Sequence, residues 1–401
     1  MARYIRELCD AVHSTGASVP RILEHVRIDR AERAVQPEIL NAIFDRDYDD
    51  HYDDDDDDDG RIPRDVDYHS IADLRFVGED ASGPGQTREA INTLWTQITN
   101  DRDAFALTPG GLVPLVSGRP RLFGLAGFIA GTAMRSNIPL GLPRLCPSFA
   151  AAVVHPVDVD ATLVEEMFGA DGIVRAAESA SFELGTEECV AYCSPFDEGA
   201  SASVVASALE IIGPTVTHAT FGSLCLLVAE TAIDTPAVRA MRRGFHRALC
   251  GTYTWGARQI ASMLASSIFE PRDASELFFG TSAVSVDRIR SKTELVASAA
   301  GDAYASHETE SLALFWHLFG TELTDEQRLR FFTFWTSNAS FPVHEAPDEA
   351  YIISPLPAHN APLFTASTCA NHLRVPRYTD KATMLAKMIA SLDACGYMGL
   401  V

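Results

Sequence analysis

Residues 363–378 read Leu363-Phe-Thr-Ala-Ser-Thr-Cys-Ala-Asn-His-Leu-Arg-Val-Pro-Arg-Tyr378. Within them, a run of small polar residues carries Cys369 between the apolar Leu363 and Leu373. Such a loop can hold a thiol near the surface, beside hydroxyl and amide donors that favour the thiolate. A cysteine in a loop is also commonly an inert packing residue, so composition alone leaves both interpretations open.

Helical patterns occur upstream and downstream of this stretch. Apolar residues recur at steps of three and four from Thr87 to Ile98, which is typical of one buried helix face. Thr324, with Gln327 three residues later, predicts a capping box at the start of another helix. Thr379 or Asp380 can cap a final helix. That helix would carry its apolar residues on one stripe: Leu385, Met388, Ile389 and Leu392.

The charge of the 401-residue chain is strongly acidic and unevenly placed. Its net charge is 32 − 55 = −23, which argues against nucleic acid as a partner because a phosphate backbone would be repelled. Residues 45–59 contain eleven Asp and one Arg, a local net charge of −10. Such a run cannot pack, so residues 45–60 are predicted to be a solvated, disordered insertion. No Glu closes a calcium-binding loop at the required distance, which excludes a dedicated calcium site.

The cysteines do not indicate a disulfide scaffold. There are eight in a long chain with no basic-then-apolar leader, so we expect reduced thiols and a cytoplasmic location, a nuclear location staying open. No apolar stretch is long enough for a membrane span. Cys189 and Cys193 lack a second pair at zinc spacing, and no phosphate-binding glycine loop is present. We therefore expect no bound metal or cofactor.

The motif around Cys369 resembles the catalytic end of HECT-type ubiquitin ligases. That family carries Leu-Pro-x-Ala-x-Thr-Cys-x-Asn-x-Leu-x-Leu-Pro-x-Tyr at this place. The family motif aligns with residues 363–378 of this chain without gaps. Upstream segments are similar to the family in the same order. They are Thr87-Arg88-Glu89, Gly131 to Pro143, Arg243-Gly244-Phe245, Glu276 to Gly280 and Phe315-Trp316. The segment Thr336-Ser337-Asn338 lacks the glycine that the family usually has there.

The resemblance implies an α+β, bilobal HECT fold. A large, mostly helical amino-terminal lobe and a small α/β carboxy-terminal lobe would be joined by a flexible hinge. The expected boundaries are an amino-terminal segment at 1–20, the large lobe at 21–279 with a conjugating-enzyme-binding subdomain at about 160–242, and the small lobe at 284–401. The hinge would consist of Gly280, Thr281, Ser282 and Ala283.

The resemblance also implies a two-step acyl transfer without metal or cofactor. Ubiquitin would pass from a conjugating enzyme to Cys369 as a thioester, and then to a lysine of a protein substrate. Thr368 and Asn371 match positions of the motif and would shape the loop around the nucleophile.

Two other functions stay open at this stage. One is a non-catalytic HECT-like module that keeps the fold and sequesters conjugating enzymes or ubiquitin. The other is a Cys–His protease, which would need an imidazole beside the thiol. His372 follows Cys369 so closely in the chain that the sequence does not show whether its ring can face the thiol. The complete motif around Cys369 favours the ligase.

Overall fold

The computed structural model describes most of the chain from residue 84 onward. The described residues are 27–28, 75–76, 84–115, 119–136, 138–157, 161–168, 183–184, 206, 208–213, 215–250, 271–296, 306–343, 350–356 and 362–394. The predicted amino-terminal segment 1–20, the acidic insertion 45–60, and Cys189 and Cys193 lie outside them, so those predictions stay untested.

The part of the chain up to residue 279 is mainly helical. Its elements are β1 (Arg27–Ile28), β2 (Arg75–Phe76), α1 (Pro84–Thr99), β3 (Phe105–Thr108), β4 (Gly111–Pro114), α2 (Pro120–Arg135), α3 (Pro147–Val154), α4 (Ala161–Phe168), β5 (Glu183–Leu184), β6 (Val216–Thr217), α5 (His218–Ile233), α6 (Pro236–Cys250) and α7 (Pro271–Phe279). Its strands form three two-stranded sheets, of which β1–β2 is parallel and β3–β4 and β5–β6 are antiparallel.

Helix α1 buries the face that its sequence predicts. Ile91, Leu94, Trp95 and Ile98 are all fully buried in the main core of this part. The ring nitrogen of Trp95 donates a hydrogen bond to the carbonyl of Pro143 at 2.9 Å, so its one polar group is also satisfied. The helix is therefore firmly held by its own apolar stripe.

Helices α2 and α6 cross so closely that only glycine fits at the crossing. A Cβ atom on Gly127 would lie 1.8 Å from the carbonyl oxygen of Met241, and one on Gly244 would lie 2.0 Å from that of Gly124. Because glycine has no Cβ, the two backbones can touch here. Two of the segments that resemble the HECT family, Gly131 to Pro143 and Arg243 to Phe245, contribute to this pair of helices.

The part from residue 284 onward is a small α/β unit. Its elements are α8 (Val286–Ser291), β7 (Thr293–Leu295), α9 (Ser306–His317) with a π-helical end (Leu318–Glu322), α10 (Asp325–Thr336), β8 (Tyr351–Leu356), β9 (Thr365–Ser367), a 3-10 turn (Thr368–Ala370), β10 (His372–Pro376) and α11 (Lys381–Ala394). The strand order is β7-β8-β10-β9, in which β8 runs parallel to β7 and β10, and β9 runs antiparallel to β10.

The core of the small unit is largely aromatic. Phe315, Phe319, Phe331 and Phe364 pack with ring centroids 5.5–6.0 Å apart, and Trp335 joins them from α10. Such tilted and edge-on contacts add to the stabilisation that burial itself provides.

The capping predictions for the small unit are confirmed. The predicted capping box at the start of α10 is present: Thr324 Oγ1 accepts from Gln327 N–H at 3.2 Å, and Gln327 Oε1 accepts from Thr324 N–H at 3.0 Å. Asp380 caps α11 by accepting from Thr383 N–H at 2.7 Å.

The buried stripe of α11 differs in part from its prediction. Met388 and Leu392 are buried as expected, but Met384 and Ser391 are buried too, while Leu385 and Ile389 are half-buried. Such a difference arises because the elements that α11 packs against, α10 among them, set the rotation of the helix, and the helix pattern does not contain them.

The predicted α+β fold class is confirmed by this mixture of helices and sheets. Among the described residues, none of the helices by itself combines the length and the apolar character of a membrane span. The segments Thr220–Ile233 and Pro236–Ala248 meet these criteria only as a pair, across a bend of 43°.

Candidate active site

Cys369 lies in the 3-10 turn between β9 and β10, and its side chain is exposed with a free thiol. The turn closes with a hydrogen bond from Asn371 N–H to the Thr368 carbonyl at 3.4 Å. Asn371 adopts the left-handed conformation with φ 47°, which asparagine tolerates better than most residues. The sequence therefore places the thiol at the tip of a sharp reversal between two antiparallel strands.

Asn371 holds the turn to the rest of the small unit. Its side chain is 7% exposed. The backbone carbonyl oxygen of Asn371 accepts from the ring nitrogen of Trp335 at 2.6 Å and from Ile352 N–H at 2.9 Å. Its side-chain nitrogen donates to the Ala350 carbonyl at 3.4 Å. These bonds agree with the predicted role of Asn371 in shaping the loop, which stays a prediction until the loop is mutated.

A residue from the helical part also contacts this turn. Arg88 on α1 donates through Nη1 to the Asn371 side-chain oxygen at 2.8 Å and to the Thr368 carbonyl at 3.3 Å. The same nitrogen donates to the carbonyl of Thr336, at the end of α10, at 2.5 Å. The motif residues Thr368 and Asn371 thus meet at one guanidinium, on either side of Cys369.

Sequence reasoning did not assign a role to Arg88 or Trp335. Arg88 belongs to Thr87-Arg88-Glu89, which resembles the HECT family, but its partners are 280 and 283 residues away along the chain. The family resemblance was the only signal that could have drawn attention to it.

The predicted hinge joins the two parts beside this contact. Thr281 and Phe341 exchange two backbone hydrogen bonds, of 2.8 and 2.9 Å. Gly280 has φ 61°, and a Cβ there would lie 2.5 Å from the Phe341 carbonyl, so this position requires glycine. Ser282 and Ala283 are exposed, and Ala283 N–H donates to Thr281 Oγ1 at 3.1 Å. Bending at residues 280–283 stays a prediction.

The ring of His372 faces a neighbouring strand. Its Nε2 lies 2.7 Å from Ser354 Oγ on β8. Burial lowers the pKa of His372, and the charge of Arg374 lowers it further. The described contact of this imidazole is therefore with a serine of the sheet, which gives no support to a Cys–His protease.

Cys369 differs from the other cysteines whose side chains the structure describes. Cys146 and Cys225 are buried, and burial raises the pKa of each thiol to about 12. A thiol held in that state attacks poorly, because the thiolate is the nucleophile. Over the described ranges, no group of three His, Cys, Asp or Glu residues could hold a metal ion.

Only parts of the predicted conjugating-enzyme-binding subdomain, residues 160–242, are described. They include α4, β6, α5 and the first half of α6, and they carry exposed apolar residues at Ile211 and Leu226. Whether a conjugating enzyme binds this region stays a prediction.

Comparison with known proteins agrees with the geometry of the site. A family model described as HECT-domain (ubiquitin-transferase) matches residues 235–401. The chain is also similar to the proteins named "Probable E3 ubiquitin-protein ligase HERC4" of Rattus norvegicus, Mus musculus and Homo sapiens, at 26% identity over 126 residues in each case. That match covers 31% of this chain and only 11% of the length of each of these relatives. The predicted resemblance to the HECT family is confirmed over residues 235–401, which match its domain and include Cys369 with its motif.

Proposed function

We propose that this chain accepts ubiquitin from a conjugating enzyme as a thioester on Cys369 and transfers it to a lysine of a protein substrate. The observation that carries the proposal is the placement of Cys369. It is an exposed thiol at the tip of a turn whose two motif residues are both held by hydrogen bonds, within the part of the chain that matches the HECT domain.

The first step exchanges one thioester for another. The Cys369 thiolate attacks the carbonyl carbon of the carboxy-terminal glycine of ubiquitin, which the conjugating enzyme carries on its own cysteine. A carbon–sulfur bond to Cys369 forms, the bond to the enzyme's sulfur breaks, and that sulfur leaves as a thiolate. An exposed thiol is required because two folded proteins must reach it at once.

The second step forms the isopeptide bond. The neutral amine of a substrate lysine attacks the same carbonyl carbon, a carbon–nitrogen bond forms, and the carbon–sulfur bond to Cys369 breaks. The nitrogen loses a proton to the surroundings, and Cys369 returns as a thiolate. Conjugating enzyme, ubiquitin and substrate are thus the three partners of the proposed reaction.

A single-round charging assay tests the proposal. Conjugating enzymes loaded with ubiquitin are mixed with the chain, and the products are separated with and without a reducing agent. We expect an adduct that reducing agent removes, that Cys369→Ala abolishes, and that Cys369→Ser replaces with a reductant-resistant oxyester or nothing. Cys225→Ala is the matched control, because this cysteine is buried and should leave the adduct in place.

The same assay addresses the non-catalytic alternative. Binding to loaded conjugating enzymes without any adduct, across a broad panel of them, would reject the ligase and support a module that sequesters its partners.

A further inference from the structure

The guanidinium of Arg88 connects three points of the small unit to α1. Its Nη1 atom lies 2.8 Å from the side-chain oxygen of Asn371, 3.3 Å from the Thr368 carbonyl and 2.5 Å from the Thr336 carbonyl. Thr368 immediately precedes Cys369, and Asn371 lies two residues after it. Bonds from a charged donor are stronger than those between neutral groups, so this one side chain constrains the position of the turn.

Arg88 is itself held by a rigid element. One helical turn further along α1, Asn92 donates to the Arg88 carbonyl at 3.0 Å and accepts from Gly141 N–H at 2.6 Å. Trp95 and Ile91 on the same helix are fully buried. The backbone of Arg88 is therefore anchored in the helical part, while its guanidinium binds acceptors of the small unit.

Another contact between the two parts lies beside a buried amide that has no partner among the described residues. Gly141 lies against Ala339, where an added Cβ would be 3.2 Å from the alanine side chain. Beside them, Asn338 is 1% exposed, yet neither its side-chain oxygen nor its side-chain nitrogen has a hydrogen-bond partner among the described residues.

We propose that Arg88 is a positioning residue that holds the Cys369 turn against α1 while ubiquitin is transferred from Cys369 to the acceptor lysine. This inference rests on the proposed function. The described bonds of the turn run to α1, to α10 and to its own sheet, whereas the predicted docking region for the conjugating enzyme contains α4 and α5. Holding the turn on α1 therefore serves the step that follows departure of the conjugating enzyme.

The two steps can be measured separately in Arg88→Ala, Arg88→Lys and the control Arg102→Ala, which removes an exposed arginine elsewhere in the helical part. Charging is followed from loaded conjugating enzyme to Cys369. Discharge is followed from purified charged chain to free lysine at a fixed concentration. For Arg88→Ala we expect discharge to slow at least about tenfold and charging to change less than about twofold. Arg88→Lys should recover part of the discharge rate, because it keeps a donor and the charge, and Arg102→Ala should match the wild type.

Amide hydrogen exchange supplies a readout that needs no ubiquitin. In Arg88→Ala, peptides that cover residues 365–373 should exchange faster, while those that cover α2 and α6 should be unchanged. Equal losses in both steps together with faster exchange throughout the chain would indicate a merely structural role and overturn the inference.

Failure of this inference and failure of the proposed function are distinguishable. A wild-type chain that charges normally, with an Arg88→Ala variant that discharges at the wild-type rate, overturns this inference alone. A wild-type chain that never forms the Cys369 adduct overturns both.

Discussion

The ring nitrogen of Trp335 donates a 2.6 Å hydrogen bond to the carbonyl oxygen of Asn371, two residues beyond Cys369. Trp335 is fully buried on α10 and packs 5.6 Å from the ring of Tyr351 on β8. The aromatic core of the small unit and the turn that carries the thiol are thus joined by one buried bond.

We expect Trp335→Phe to lower the free energy of unfolding by about 3 kcal/mol, because it leaves a cavity and removes one of the donors to Asn371. Chemical denaturation measures this. Trp316→Phe is the matched control, since it removes the same ring atoms from the same core. We expect charging of Cys369 to slow in Trp335→Phe and not in Trp316→Phe; equal charging rates in the two variants would contradict a role of this bond in shaping the turn.

Two substitutions of Asn371 distinguish the effect of its left-handed backbone conformation from the effect of its side-chain hydrogen bonds. Asn371→Ala and Asn371→Gly both remove the oxygen that Arg88 contacts, but only glycine adopts φ 47° without strain. We expect Asn371→Gly to be about 1 kcal/mol more stable than Asn371→Ala in thermal or chemical unfolding. Both should slow discharge of ubiquitin to free lysine; recovery of the full rate in the glycine variant would show that only the backbone conformation matters.

Ser337 ends α10 in the left-handed region with φ 60°, in the segment that lacks the usual glycine of the family. We expect Ser337→Gly to raise the free energy of unfolding by about 1 kcal/mol, because the strain of the Cβ is removed. Ser136, which ends α2 with φ −87°, is the matched control. Ser136→Gly should not raise the free energy of unfolding. An increase equal to that of Ser337→Gly would refute the strain argument. Thermal unfolding of both variants decides this.

Two glycine-to-alanine changes should have opposite effects on stability, one at the crossing of α2 and α6 and the other on the exposed face of α5. Gly127→Ala would place its Cβ 1.8 Å from the Met241 carbonyl, so the helices must separate, at a cost of about 3 kcal/mol. Gly222 on α5 is exposed with no atom within 4 Å of an added Cβ, and Gly222→Ala should stabilise by up to about 1 kcal/mol through helix propensity. Denaturation midpoints test both, and a tolerated Gly127→Ala would be incompatible with this packing.

The stability of the chain should depend on the protonation of His246. Burial lowers its pKa, the charges of Arg242 and His155 lower it further, and the bond of its Nε2 to the Val154 carbonyl, 2.7 Å long, opposes these effects. The folded chain therefore binds this proton less readily than the unfolded chain, whose value is 6.5. This contribution to stability is complete above pH 6.5 and is lost as the pH falls below it.

Unfolding free energies from pH 5 to 8 measure the effect. His246→Gln should resemble the wild type near pH 8 and lose less stability toward pH 5. An unchanged pH dependence in this variant would assign the effect to other groups.

Much of the local structure follows from short patterns in the chain. The buried face of α1 and the capping box at Thr324 were predictable, because hydrophobic periodicity and capping depend on residues within one or two helical turns. The fold class was predicted from the resemblance to a known family. Composition alone left the role of Cys369 open, and the motif around it predicted a nucleophile only through its resemblance to a known family.

The relationships that surround Cys369 were not predictable in this way. Arg88 lies 283 residues from Asn371 along the chain, and Trp335 lies 36 residues from it. The close contact of α2 with α6 likewise depends on two glycines that look unremarkable in their own helices. Hydrogen-bond partners and interhelical distances of this kind are properties of how separate elements pack. The residues therefore specify the helices, their caps and the motif around Cys369, whereas the packing of distant elements brings a guanidinium and an indole to the turn that carries this thiol.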